Sequence, residues 1–135
     1  MREILFRGKR ISDGKWVEGD LSHCVVVGET HIRRIEENLS TTTHRIDHET
    51  VCQYTGLTDK NGRKIFEGDI VGFEDCTSTE SGYWEQYCSG EVKWSEEEAQ
   101  FSVTNRLTAE SYEVLQDCEI IGNIFDNPEL IEIQN

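Results

Sequence analysis

Along most of this chain, apolar residues recur at every second position rather than every third or fourth. The segments EILFRGKR, KWVEGDL, CVVV, THIRRI, DIVGFE, GEVKW, AQFSVT and CEIIGNIF are short, rich in Val, Ile, Phe and Trp, and bounded by turn residues. Two is the period of a β-strand, whose successive side chains point to opposite faces. In GEVKW, Val92 and Trp94 share one face and Glu91 and Lys93 the other. Phe101 and Val103 repeat that pattern beyond EEEAQ, which predicts a hairpin with Glu96, Glu97 and Glu98 at a solvated tip. CVVV reads as a strand. Only TAESYEVLQ (108–116) has room for a helical turn or two, and NPEL near the end for another short one. The predicted class is all-β.

The stretch QYTGLTDKNGRKIFEGDIV (53–71) punctuates these strands without supplying a nucleophile or a metal-ligand set. Asp59-Lys60-Asn61-Gly62 reads as a tight turn, because Asn and Gly tolerate positive φ. Phe66-Glu67-Gly68-Asp69 reads as a second bend. Gly68 can adopt a conformation barred to other residues, and Asp69 can accept backbone N–H groups as the next strand begins. Ile70, Val71 and Phe73 then enter the core. DGKWVEGDL (13–21) echoes NGRKIFEGDI (61–70) with one residue inserted, suggesting the same bend used twice.

A chain of 135 residues with three Trp, four Tyr and five Phe can bury a core without a disulfide or a metal. The five cysteines (Cys24, Cys52, Cys76, Cys88, Cys118) are odd in number and form no C-x-x-C pair, so they read as free thiols of a reducing compartment. No apolar run approaches the ~20 residues that span a bilayer. MREILFRGKR lacks the unbroken apolar segment of a signal peptide. The expected location is the cytoplasm, with no membrane partner. The net charge of −14 is unevenly placed. Residues 1–50 hold eight Lys and Arg against nine Asp and Glu, a net −1, and residues 51–135 hold five against eighteen, a net −13. Such a surface repels phosphate backbones and argues against nucleic acid as a partner.

Candidate chemistry is sparse. His44, His48 and Cys52 are spaced i, i+4, i+8, which would align three zinc ligands on a helix. Their flanks are β-branched, and on a strand the three lie too far apart to chelate together, so no metal is expected. Glu18 with Asp20, and Glu67 with Asp69, could serve acid–base or hard-metal chemistry, but each pair flanks a glycine where Asp is a structural choice. His23 and Cys24 adjoin and, on a strand, face apart. Residues 76–89 read as a long Ser/Thr-rich connection carrying Tyr83, Trp84 and Tyr87. These aromatics either cap a barrel end or form a contact surface. No catalytic, cofactor-binding or metal residue is assigned.

FRGK (6–9) followed by KWVEGDL (15–21), then ETVCQYTGLTDKNGRKIFEGDIV (49–71) and EIIGNIFDNPEL (119–130), resemble a YopX-type phage or prophage protein over nearly the full length. Cys52 stands where that pattern more often has glycine, and the 76–89 segment is long for it. The resemblance implies a phage or prophage origin and a small SH3-like barrel or roll in the C-terminal part, with additional N-terminal strands. It carries over no catalytic residue. Gly56, Asp59, Asn61, Gly62, Gly68, Asp69, Gly122 and Asn123 are expected at turns and strand junctions.

The expected organisation is an N-terminal strand region, 1–49, packing on the barrel or on a neighbouring subunit, and a barrel domain with a short tail, 50–135. The expected function is a non-enzymatic phage accessory protein that binds protein, either itself or a host protein, with an acidic mimic of nucleic acid as a special case. The alternatives are a small hydrolytic or metal-dependent enzyme using the carboxylates or histidines, and a nucleic-acid-binding barrel. Basic residues before position 50 and an acidic excess after it also point to a homo-oligomer.

Overall fold

The computed structural model describes residues 3–79, 82–105, 111–113 and 117–130, with the backbone alone at 74–79, 82–86, 104–105 and 111–113. Its strands are β1 (Phe6–Lys9), β2 (Trp16–Cys24), β3 (Glu29–Ile35), β4 (Thr41–Ile46), β5 (Cys52–Thr58), β6 (Lys64–Phe66), β7 (Asp69–Thr79), β8 (Gly82–Ser95), β9 (Gln100–Asn105), β10 (Ser111–Glu113) and β11 (Glu119–Asn123). Among the described residues the remaining elements are two 3-10 turns, His48–Thr50 and Pro128–Leu130, the second within the NPEL segment. The fold is all-β. The expected helical turn over 108–116 is not borne out at Ser111–Glu113, which pair with β9; its other residues, 108–110 and 114–116, lie outside the described residues. Among the described residues, no helix is long and apolar enough to cross a membrane.

The strands form two antiparallel sheets and not the closed barrel that the sequence suggested. By contacts the chain divides into two compact units, residues 1–56 and 57–135. In the first, the strand order is β4-β3-β2-β1-β5, and β5 runs on into the second unit, where β6 is its neighbour. The second sheet has the order β10-β9-β8-β7-β11. β7 and β8 pair residue for residue out to Thr79↔Gly82, well past the short β11, and among the described residues the edge strands β10 and β11 are not neighbours.

The core of the first unit is Val17, Ile32 and Ile46, with Leu21 and Val51 packed against them. Each such side chain removed from water stabilises the unit by about 1.5–3 kcal/mol. β2 pairs with β1 from Trp16 to Gly19 and with β3 from Asp20 to Cys24, so it changes its paired neighbour at the Gly19–Asp20 step. The sheet curls enough that Arg10 bridges Ile46. Ile11 N–H donates to the Arg45 carbonyl (3.0 Å), and Asp47 N–H to that of Lys9 (2.9 Å).

In the second unit Ile65, Val71, Val92, Val103 and Cys118 form the core, with Leu57, Phe73, Phe101 and Ile120 against it. The β8–β9 hairpin has the expected pairing, Val92↔Val103 and Trp94↔Phe101. Trp94 is 45% exposed and meets the Phe101 ring edge-on at 5.1 Å. Burial pushes the Cys118 thiol up to about 11, with Asp59 adding to the rise, so at neutral pH it is a protonated core residue.

The two Glu-Gly-Asp segments do different work, which corrects the expectation of one bend used twice. Gly68, at φ 88°, sits in the turn between β6 and β7, where the buried Asp69 carboxylate accepts the Phe66 N–H (2.8 Å). Gly19 lies inside β2 with no left-handed φ. A Cβ there would overlap the Arg33 carbonyl oxygen and lie 2.9 Å from its carbon, so the missing side chain admits the β3 backbone. Gly68→Val is expected to lower stability by roughly 1–3 kcal/mol, the range for a β-branched residue forced to positive φ. Thermal melts of the variant and the parent check this; equal midpoints would mean that the bend does not need its glycine.

Candidate interaction surface

The β2–β3 hairpin sets out an apolar tip. β2 ends at Cys24, β3 begins at Glu29, and the Gly28 N–H closes the turn on the Cys24 carbonyl at 2.8 Å. Gly28 has φ 67°, which lets four residues reverse the chain. Val25, Val26 and Val27 fill that turn and are 83%, 93% and 61% exposed. Their strand reading from CVVV is therefore corrected: they are the turn itself, held away from the core by the paired residues on either side. Cys24 beside them is exposed. Isolated exposed apolar residues are ordinary, but three consecutive valines at a loop tip form a contiguous exposed apolar patch.

The stem of that hairpin is fastened by an imidazole pair. His23 Nδ1 lies 2.8 Å from Thr30 Oγ1, and His48 Nδ1 lies 3.0 Å from the same oxygen, with ring centroids 5.2 Å apart. Thr30 is buried, and its hydroxyl, with one proton and two lone pairs, can serve both imidazoles at once. This link ties the 48–50 turn to the base of the tip. The turn is built by Asp47, which caps Glu49 N–H (3.2 Å), and by Thr50 Oγ1, which donates to the Asp47 carbonyl (2.7 Å) and accepts Lys9 N–H (2.8 Å).

His44, His48 and Cys52, weighed above for a zinc-like spacing, are not brought together. His44 Nε2 contacts Thr42 Oγ1 (3.0 Å), whose proton goes to Glu36 Oε1 (2.8 Å). His48 belongs to the Thr30 link, and the buried Cys52 thiol donates to the Thr50 carbonyl (3.3 Å). Among the described residues no group of three or more His, Cys, Asp or Glu is placed to hold a metal ion. Of the carboxylate pairs, Asp20 meets Arg33 at 3.5 Å in an exposed ion pair, and Asp69 serves its turn. Burial pushes the Glu91 carboxyl up, against the pull of Lys93, and Glu67 adds to the rise.

The aromatic segment 76–89 is not a loop. Its described residues, 76–79 and 82–89, belong to β7 and β8, with Ser78↔Tyr83, Thr77↔Trp84 and Glu74↔Tyr87 in register. With no closed barrel, there is no barrel end for them to cap. The side chains of Tyr83 and Trp84 lie outside the described residues; Tyr87 is 57% exposed and lies across Gly72.

The expected turn positions are placed as follows. Asp59 is buried, and its carboxylate accepts the N–H groups of Asn61 (2.9 Å), Arg63 (2.9 Å) and Ile120 (3.1 Å). Asn61 and Gly62 lie in that turn, Gly62 at φ 80°. Gly56 lies within β5 at φ 91°, and Gly122 follows a register shift in β11. Asn123 Oδ1 accepts the N–H groups of Phe125 (3.0 Å) and Asp126 (2.9 Å) where the chain leaves β11. The valine tip and the His–Thr–His link were missed by sequence reasoning. The signal for the tip was a glycine closing an apolar run; the link had none, since its members come from three elements.

Comparison with known proteins places this geometry. A search of curated proteins finds no match. The crystal structure of protein EF1440 from Enterococcus faecalis is similar in fold, with a TM-score of 0.56 and 18% identity over 98% of this chain and all of that one. The family described as YopX protein matches residues 5–132, from the start of the first sheet to beyond the last 3-10 turn. The chain belongs to the YopX family.

Proposed function

We propose that the protein is a non-enzymatic protein-binding module of phage or prophage origin, working in the cytoplasm of a bacterial host through the β2–β3 hairpin tip. The observation that carries this reading is the exposure of Val25, Val26 and Val27 on a turn whose stem is fastened by His23, Thr30 and His48. A rigidly presented apolar tip loses little conformational freedom on docking, which favours binding. The net −13 of residues 51–135 supports, as a special case, imitation of nucleic acid towards a basic host protein. In the second unit, the last strand returns beside the first of a three-strand meander, β11-β7-β8-β9. That order supports an SH3-like roll.

The test replaces Val25, Val26 and Val27 together with Asp and uses the full chain as bait in host lysate. Because the three side chains are exposed, stability should change by no more than about 0.5 kcal/mol per site. The expected result is a captured host protein, identified by mass spectrometry, that the variant no longer retains. Equal retention by a folded variant would move the contact away from the tip.

A further inference from the structure

We propose that β4 is a self-recognition strand: two copies of this chain pair antiparallel along Thr41–Arg45, centred on Thr43 about a two-fold axis. This does not depend on the valine tip. β4 is the edge strand of its sheet. The Arg45 carbonyl accepts from Ile11, and the Asp47 N–H donates to Lys9, so odd-numbered residues of this stretch aim their backbone groups away from β3. Ser40 agrees from the other side, because its carbonyl turns inward to the Glu36 N–H (2.8 Å). At Thr41 and Thr43 the outward groups have no backbone partner among the described residues, and all three of Thr41, Thr43 and Arg45 are exposed.

A second copy satisfies the Thr43 groups, the Arg45 N–H and the Thr41 carbonyl; the Thr41 N–H stays in water, because the Arg45 carbonyl opposite it already accepts from Ile11. Thr43 and the partner's Thr43 exchange both of their hydrogen bonds. Each Arg45 N–H then donates to the Thr41 carbonyl of the other copy. The pairing stops at Thr41 because the chain turns at Ser40, and it is there, opposite Arg45, that the Lys9–Ile11 segment takes over the edge. The open edge and the incoming strand therefore have the same length.

Charge selects the occupant. A chain of net −14 repels its own copies, yet residues 38–46 contain no Asp or Glu. Their one cation, Arg45, is paired with Glu29 of its own chain at 3.2 Å. The edge is locally neutral and carries no Lys or Pro of the kind that blocks strand addition. Ile35 and Leu39, both exposed, lie beside the start of β4 and add apolar surface. A two-fold contact of this kind closes on itself and gives a dimer rather than a filament.

Light scattering on the full chain at tens of micromolar should give twice the 15.6 kDa chain mass. Thr43→Lys places two ammonium groups opposite each other across the axis and should abolish the dimer while leaving the chain folded, with an unchanged circular dichroism spectrum. In a Cys24→Ser background, Thr43→Cys should cross-link on mild oxidation, since a hydrogen-bonded antiparallel pair sits at about 5.5 Å between Cα atoms, within disulfide reach. Thr41→Cys should not, because the partner's Thr41 is four residues out of register with it. A monomer at these concentrations, a dimer indifferent to Thr43→Lys, or equal cross-linking at 41 and 43 would each overturn the proposal. So would a monomer that accepts only a foreign strand at this edge.

Discussion

Asp59→Ala is expected to lower the stability of the second unit by roughly 3–4 kcal/mol, because three N–H groups lose one charged acceptor at a buried site. The carboxylate closes the 59–63 turn on Asn61 and Arg63 and holds Ile120 of β11, a residue 61 positions away. Lys60 N–H donates to the Cys118 carbonyl (3.0 Å), so turn and strand are joined twice. Burial alone would raise this carboxyl, but the N–H groups of Ile120, Arg63 and Asn61, with Arg63's charge, outweigh it and hold it below the usual carboxylate value of 3.8. A group depressed in the folded state contributes stability above its unfolded pKa and loses it as pH falls through the folded one. Chemical denaturation between pH 7 and pH 3 should therefore show a loss beginning near pH 4. Asp59→Asn should be less stable at pH 7 and lack this component of the acid slope. A slope equal to the parent's would remove Asp59 from that role.

Gly19→Ala should destabilise the first unit by about 2–4 kcal/mol, the range for overpacking against a backbone that cannot move aside. The sign is informative, because Ala is ordinarily the better strand residue by roughly 0.5–1 kcal/mol. In β2 a methyl at position 19 would enter the space of the Arg33 carbonyl, prising β3 from β2 where pairing passes from Phe6↔Gly19 to Asp20↔Arg33. Hydrogen exchange read by mass spectrometry locates the effect: protection should fall at Asp20–Cys24 and Glu29–Arg33. A variant as stable as the parent, or more so, would show that β3 does not need the gap.

Asp59 and Gly19 were not equally legible before the strands were placed. Asp59 was legible as a turn residue from Asp-Lys-Asn-Gly, since Asx and Gly preferences act within four residues. Its third hydrogen bond, to Ile120, was not, because nothing local to either segment encodes the meeting. Gly19 was misread as a repeat of Gly68 because the same three letters, Glu-Gly-Asp, precede an aliphatic residue in both places. One glycine is needed for a backbone angle and the other for room beside another strand.

By itself the sequence determined the strand class, the β8–β9 hairpin with its Val92–Val103 face, and the turns at Asn61-Gly62 and Gly68-Asp69, because side-chain alternation and turn chemistry are properties of neighbouring residues. Tertiary structure alone decided the rest. The segment 76–89 alternates too little to announce strands, and its described residues became so because β7 and β8 pair with each other from Ile70↔Glu91 to Thr79↔Gly82. CVVV has the composition of a core strand, but Cys24 ends the paired stem at Glu29, which leaves residues 25–28 to turn in and puts the valines in water. The sheets stay open, and β4 keeps an unpaired edge, because closure depends on which strands come side by side, and period-two patterning records only which face of each strand is apolar.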